Sequence, residues 1–113
     1  MSVVNKARQI MAQAFADQIK WLGIGTDPQL TPTTNEMTDL IQPLVRVPIT
    51  STSVVGNALQ VTAKITNLPP CEITEMGLFC DRNGPTMLAR WLTKPLKPVA
   101  DNEFTVTWTQ QID

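Results

Sequence analysis

The chain has 113 residues, 42% of them apolar, with 9 basic and 10 acidic side chains for a net charge of −1. That length suits one domain with its own core rather than two, and the apolar content argues against disorder. The balanced charge offers neither the clustered Lys and Arg that a nucleic-acid backbone demands nor a polybasic membrane patch, so neither is expected as a partner.

Histidine is absent. This removes Ser-His-Asp and Cys-His catalysis and the commonest zinc ligand. No catalytic, cofactor-binding or metal site is expected, and no cofactor. Tyrosine is absent too, which argues against tyrosine-rich recognition. No apolar run approaches the roughly 18 residues of a membrane helix. The N-terminal MSVVNKARQI lacks the apolar core of a secretory signal. The expectation is a soluble protein made in the cytoplasm.

Residues 2–18 carry helical periodicity. Val3, Ala7, Ile10 and Ala14 recur at helix spacing, with Val4, Met11, Phe15 and Gln18 beside them. Ser2 is a plausible N-cap, and Lys6, Arg8, Gln9 and Asp17 supply a wet side. Such a stripe must lie on a sheet or on a neighbouring chain. The expected division is therefore an assembly or packing helix at 1–19 and a β domain at 20–113.

The next segment, IKWLGIG (19–25), reads as a short strand. TDPQLTPTT is a loop whose turn starts at Asp27-Pro28. NEMTDLIQ (35–42) is expected to form a short helical turn, capped by Thr33 or Thr34 and ended by Pro43. VRVPI (45–49) reads as extended, and Pro48 argues for an edge strand or a strand start.

From residue 49 the pattern turns to β. ITSTSVV and ALQVTAKIT flank the hairpin pair Gly56-Asn57. Leu59, Val61, Ala63 and Ile65 alternate with Gln60, Thr62 and Lys64, the period of a half-buried strand. Pro69-Pro70 breaks it. CEITEMGLFC is a further strand, Asp81-Arg82-Asn83-Gly84 a turn, and TMLARWLT the return, followed by a loop over KPLKPVADN. In EFTVTWTQQI, Phe104, Val106, Trp108 and Gln110 share one face and Thr105, Thr107 and Thr109 the other. The fold expected is mainly β with an N-terminal α-helix: a small antiparallel β-sandwich.

Two features test function. Gly23-x-Gly25 followed by Thr26 suggests a phosphate loop, but position 28 is Pro28 where a dinucleotide fingerprint has its third glycine. No helix is expected after it, so nucleotide binding is rejected. The glycines read instead as a place where the backbone passes close to a neighbour, near the Glu75–Phe79 strand. The second feature is Glu75, which alternation sets on one face with Ile73, Gly77 and Phe79. A carboxylate there needs a cation, and Arg46 and Arg90 are the candidates. An interface contact and a catalytic acid are its rival readings.

Cys71 and Cys80 would stand about 30 Å apart along one extended segment, too far to pair, and read as free thiols. Trp21, Trp91 and Trp108 read as core or subunit-interface rings before sugar platforms.

Together, WLGIGTDPQLTPTTNEM, LVRVPI and ITEMGLFC-DRNG-PTMLARWLT resemble the N-terminal module of phage tail-collar and tail-fibre proteins. The matching positions are Gly23, Gly25, Thr26, Arg46, Pro48, Ile49, Glu75, Gly77, Leu78, Phe79, Gly84, Leu88 and Ala89, within residues 20–95. The resemblance implies a non-enzymatic virion part. Such modules anchor fibres to the baseplate of a tailed phage or related contractile injection machine, commonly as homotrimers. In that family the module heads a long chain bearing a shaft and tip. Here the chain ends at Asp113, so the expectation is a stand-alone baseplate or fibre-adaptor subunit, with host recognition on another chain. Its expected partners are copies of itself and other baseplate or fibre proteins. Structural or interface candidates are Gly23, Gly25, Arg46, Glu75, Gly77, Phe79, Arg90, Trp91 and Trp108. The rival readings are a carbohydrate-binding β-sandwich stacking sugars on tryptophan, a small enzyme built on Glu75 and Asp81, and a viral assembly chaperone absent from the finished particle.

Overall fold

Hydrophobic alternation decides most of this architecture. The computed structural model describes residues 4–98 and 103–111. Its elements run α1 (Asn5–Gln18), β1 (Trp21–Gly25), β2 (Pro43–Val55), β3 (Ala58–Ile65), β4 (Ile73–Phe79), β5 (Met87–Leu96) and β6 (Phe104–Gln111). The strands form one antiparallel sheet in the order β5-β4-β1-β2-β3-β6. The sheet is curled so that its two halves face each other as a small sandwich. The mainly β fold with one N-terminal helix is as expected.

Strand β2 serves both halves. Its first part pairs with β1 (Leu22↔Val47, Gly23↔Arg46) and its second part with β3 (Ser53↔Gln60, Val55↔Ala58). Pro48 stands at the handover, inside a long interior strand rather than at an edge or start. The Ile49 N–H donates to the Lys20 carbonyl on the β1 side. By alternation the Pro48 nitrogen points the other way, where the β3 ladder begins only at Ile49. The rule that proline avoids paired positions therefore holds at the level of one flank.

The β2–β3 hairpin closes at Gly56-Asn57, with Gly56 at φ 62°, the sign a type II′ turn requires at its first central residue. In β3, Leu59, Val61, Ala63 and Ile65 are buried and Gln60 and Lys64 exposed. In β6, Trp108 is buried and its threonines exposed, as the alternation predicts. The core joins these side chains to Leu22 and Ile24 of β1 and to Ile73, Met76 and Leu78 of β4. Ile73 thus packs with the inner cluster rather than on the Glu75 face. The register against β5 shifts between Ile73 and Glu75.

Three other expectations are corrected. Helix α1 packs on β2 and β3, but through Ala12 and Ala16, with Phe15 against the core and Ile19 just beyond its end. The expected stripe points elsewhere: Val4, Ile10 and Met11 are exposed. Two alanines let the helix approach the sheet closely, and this outweighs the larger side chains on the other side. Val3 and the Ser2 cap lie outside the described residues, and Val4 at the cap position makes no side-chain capping bond. Residues 35–42 form no helix; a turn closes at Thr34–Met37 and the rest is loop, while Pro43 opens β2. The loop after β5 starts later than expected, because Lys94, Pro95 and Leu96 belong to the strand. Residues 99–102 of that expected loop lie outside the described residues.

Candidate functional site: a buried polar cluster outside strand β4

Every residue of β4 is buried. Its inner face looks into the sandwich. Its outer face is covered by the crossover of residues 26–42, which must therefore be fixed by something other than a sheet ladder. Glu75 supplies that fixing. Its Oε1 accepts from the Ile41 N–H at 3.1 Å and from Arg90 Nε at 3.0 Å, while Oε2 accepts from the Gln42 N–H at 2.8 Å. The side chains of Glu75 and Arg90 are both fully buried.

Arg90 comes from β5, two strand positions from the residue opposite Glu75 (Glu75↔Leu92). Its Nη1 donates to the Thr31 carbonyl at 2.6 Å and to the Thr33 hydroxyl at 3.0 Å. Its Nη2 approaches Glu75 Oε1 to 2.9 Å and Asp27 Oδ2 to 3.7 Å without aiming at either well enough to hydrogen-bond, so its contribution is Coulombic. One cation thus neutralises two buried carboxylates while tying down the loop backbone.

Asp27 anchors the other end of the crossover. Its Oδ1 accepts the Gln29 N–H at 3.0 Å and its Oδ2 the Thr31 N–H at 2.8 Å. This Asx-type turn sends the chain through Leu30 at φ 51°, a left-handed conformation uncommon for leucine. The Asp27 carbonyl in turn accepts from the buried Thr74 hydroxyl at 2.6 Å. The Thr31 N–H holds the Asp27 carboxyl below its ordinary value, with the Thr31 hydroxyl, the Gln29 N–H and Arg90 acting the same way against the opposing effect of burial.

The two glycines of the opening motif lie in β1, opposite this strand: Gly23↔Gly77 and Gly25↔Glu75. A Cβ at Gly25 would overlap the Glu75 carboxylate, and one at Gly23 would overlap the Phe79 ring. At Gly77 a Cβ would stand 2.9 Å from the same ring and 3.2 Å from Leu40. The Gly-x-Gly pair is therefore a groove in the molecule's own sheet that seats two side chains of β4, not a ligand loop.

Arg46, the other candidate for Glu75, does not reach it. Its guanidinium lies 3.7 Å from the centroid of the Phe79 ring, and its Nη atoms donate to the carbonyls of Asp81 and Gly84 at 2.9 and 2.6 Å. Asp39 Oδ1 lies 3.5 Å away. Arg46 seals Phe79 and fixes the β4–β5 turn, where Gly84 has φ 102°. The sequence reading missed Asp27, Thr31, Thr74 and Leu40 as members of this assembly. The Asp-Pro start of the turn was the one signal for them.

The tryptophans divide. Trp108 is buried, and Trp91 is 46% exposed, its ring edge-on to Trp108 at 5.6 Å between centroids. Since Trp91 lies on β5 and Trp108 on β6, this contact brings the two ends of the sheet together. A shallow cleft there is lined by Arg90, Trp91, Trp108, Thr109 and Gln110. Cys71 and Cys80 are free and half-buried. Among the described residues no group of three His, Cys, Asp or Glu could hold a metal ion, and no helix is long and apolar enough to cross a membrane.

The cluster is chemically saturated on the Glu75 side. Both carboxylate oxygens are engaged and neither is open to solvent. What the arrangement does is lock a 17-residue crossover (26–42) onto a sheet. In comparisons with known proteins, this chain matches no family model and no curated sequence.

Proposed function

We propose that this chain is a structural component of a tailed-phage virion, or of a related contractile injection machine. It serves as a tail-fibre or baseplate subunit that attaches fibres to the baseplate through protein–protein contacts, with three copies at each attachment point. The observation supporting this reading is where the residues of the resemblance sit. Gly23, Gly25, Arg46, Glu75, Gly77 and Phe79 come from β1, β2 and β4 and pack as one unit outside β4. The pattern is thus a rigid packing device, which suits a part that works by being docked. Exposed apolar side chains such as Ile10, Met11, Leu88 and Trp91 supply surface for such docking.

The test is the protein composition of purified tail particles. Peptides from this chain at a fixed copy number per particle are expected. Their absence from particles of a host that expresses the chain would reject the proposal and favour an assembly chaperone. The exposed ring of Trp91, beside Thr109 and Gln110, favours a second reading as a carbohydrate-binding surface. Titration with cell-surface glycans while following tryptophan emission separates the two: a saturable shift lost in Trp91→Ala supports sugar binding.

A further inference from the structure

Helix α1 has two apolar faces. At 100° per residue, Ala12, Ala16 and Ile19 lie together and face the sheet. Ala7 and Ala14 lie on one line across the helix from them, flanked by Ile10 and Met11, which are 60% and 46% exposed. Lys6 and Asp17 run along the Ile10 edge of this outer strip. Asp17 accepts from the Gln13 side chain, and neither Lys6 nor Asp17 has an ion-pair partner among the described residues.

We infer that this outer face is a homotypic contact: α1 packs antiparallel on α1 of a second copy about a two-fold axis between Ile10 and Met11. The inference goes beyond the proposed function and does not depend on it. Antiparallel alignment sets Ala7 against Ala14 of the second copy, and Ile10 and Met11 each against its own counterpart across the axis, with small residues at both ends allowing close approach. The charges select this arrangement. In an antiparallel pair like edges meet, so Lys6 of each copy faces Asp17 of the other, twice over. With Ala7 level with Ala14, Lys6 and Asp17 differ in height by two residues, about 3 Å, in the direction a helical lysine leans. A parallel pair would instead set Lys6 beside Arg8 of the second copy, two like charges. A single 14-residue helix offers less than the ~800 Å² per partner of a stable interface, so the dimer is reversible. Being two-fold, the contact joins three-copy assemblies rather than building them.

Sedimentation of the full chain across a concentration series at low salt tests this. The expected result is reversible dimer formation that weakens as salt rises. Ile10→Asp should leave monomer throughout, with circular dichroism unchanged because the side chain is exposed. Lys6→Glu should weaken the dimer by about three- to tenfold, the scale of two exposed ion pairs, and Lys6→Glu with Asp17→Lys should restore it. A wild-type chain without dimers at any concentration overturns the inference. So does an assembly that survives Ile10→Asp, or a charge swap that fails to restore pairing.

Discussion

The two faces of this small sandwich are held together by different physics. Inside, Leu59, Val61, Ala63, Ile65 and Trp108 meet Leu22, Ile24, Met76 and Leu78 in a wholly apolar core. Outside β4, a buried glutamate, arginine and aspartate bind an irregular crossover through backbone N–H and C=O groups. The first face tolerates any close-packed set of apolar shapes. The second depends on particular atoms, since each buried polar group left alone costs far more than it contributes when paired. A regular ladder satisfies its own backbone. A crossover pressed onto a sheet cannot, and needs side chains placed for that purpose.

This difference sets the order of expected effects. The largest belongs to Arg90→Met. It leaves Glu75 buried without its cation and Asp27 short of one, and removing one member of a buried pair typically costs about 3–5 kcal/mol. Urea denaturation should show it as a lowered midpoint. Adding Glu75→Met should recover only part of the loss, because the Ile41 and Gln42 N–H groups then have no acceptor. Full recovery would show that the loop needs no pinning. On the apolar face, Leu59→Ala should cost about 2–4 kcal/mol, through lost burial and the cavity left behind. Here a second apolar substitution that refills the volume should recover most of the loss, which is the contrast the comparison predicts.

Gly25→Ala comes next, at about 1–3 kcal/mol. The new methyl meets a carboxylate that cannot swing away without losing its bonds to Ile41, Gln42 and Arg90. Its effect should shrink in a Glu75→Met background. The two substitutions should therefore be non-additive, as neighbours sharing one contact are. Strict additivity in a double-mutant cycle would show that Gly25 and Glu75 are not coupled.

The same contrast explains what was legible in the sequence. Strands β3 and β6 follow from period-two alternation, because burial on one face imposes that pattern. Glu75 stood out as a charge among apolar neighbours, and Arg90 was one of two candidate partners. Nothing local distinguishes it from Arg46, since the choice depends on how β5 and β2 lie against β4. Helix α1 misled because its larger side chains point outward while alanines face the sheet. Pattern reading ranks faces by side-chain size, whereas close packing here rewards small ones. The crossover was opaque because its hydrogen bonds end on side chains far away in the chain, as with Ile41 and Glu75. NEMTDLIQ has reasonable helical propensity, and tertiary bonds to Glu75 override it.

The smallest expected effect lies in the pH dependence of Asp27. Its carboxyl is held below the ordinary value of 3.8 in the folded chain, chiefly by the Thr31 N–H. A group with a lowered folded-state value stabilises the fold above its unfolded value, and that stabilisation is lost as pH falls through the folded one. The contribution of Asp27 to stability should therefore be full and independent of pH near neutrality, and should decline below about pH 4, the ordinary carboxylate value. The gap between wild type and Asp27→Asn isolates this group. Asparagine can still accept a backbone N–H but carries no charge for Arg90, so the gap should be greatest near pH 6 and close on acidification. A gap that stays constant with pH would mean that Asp27 acts only through the shape of its turn. The crossover would then depend on charge at Glu75 alone.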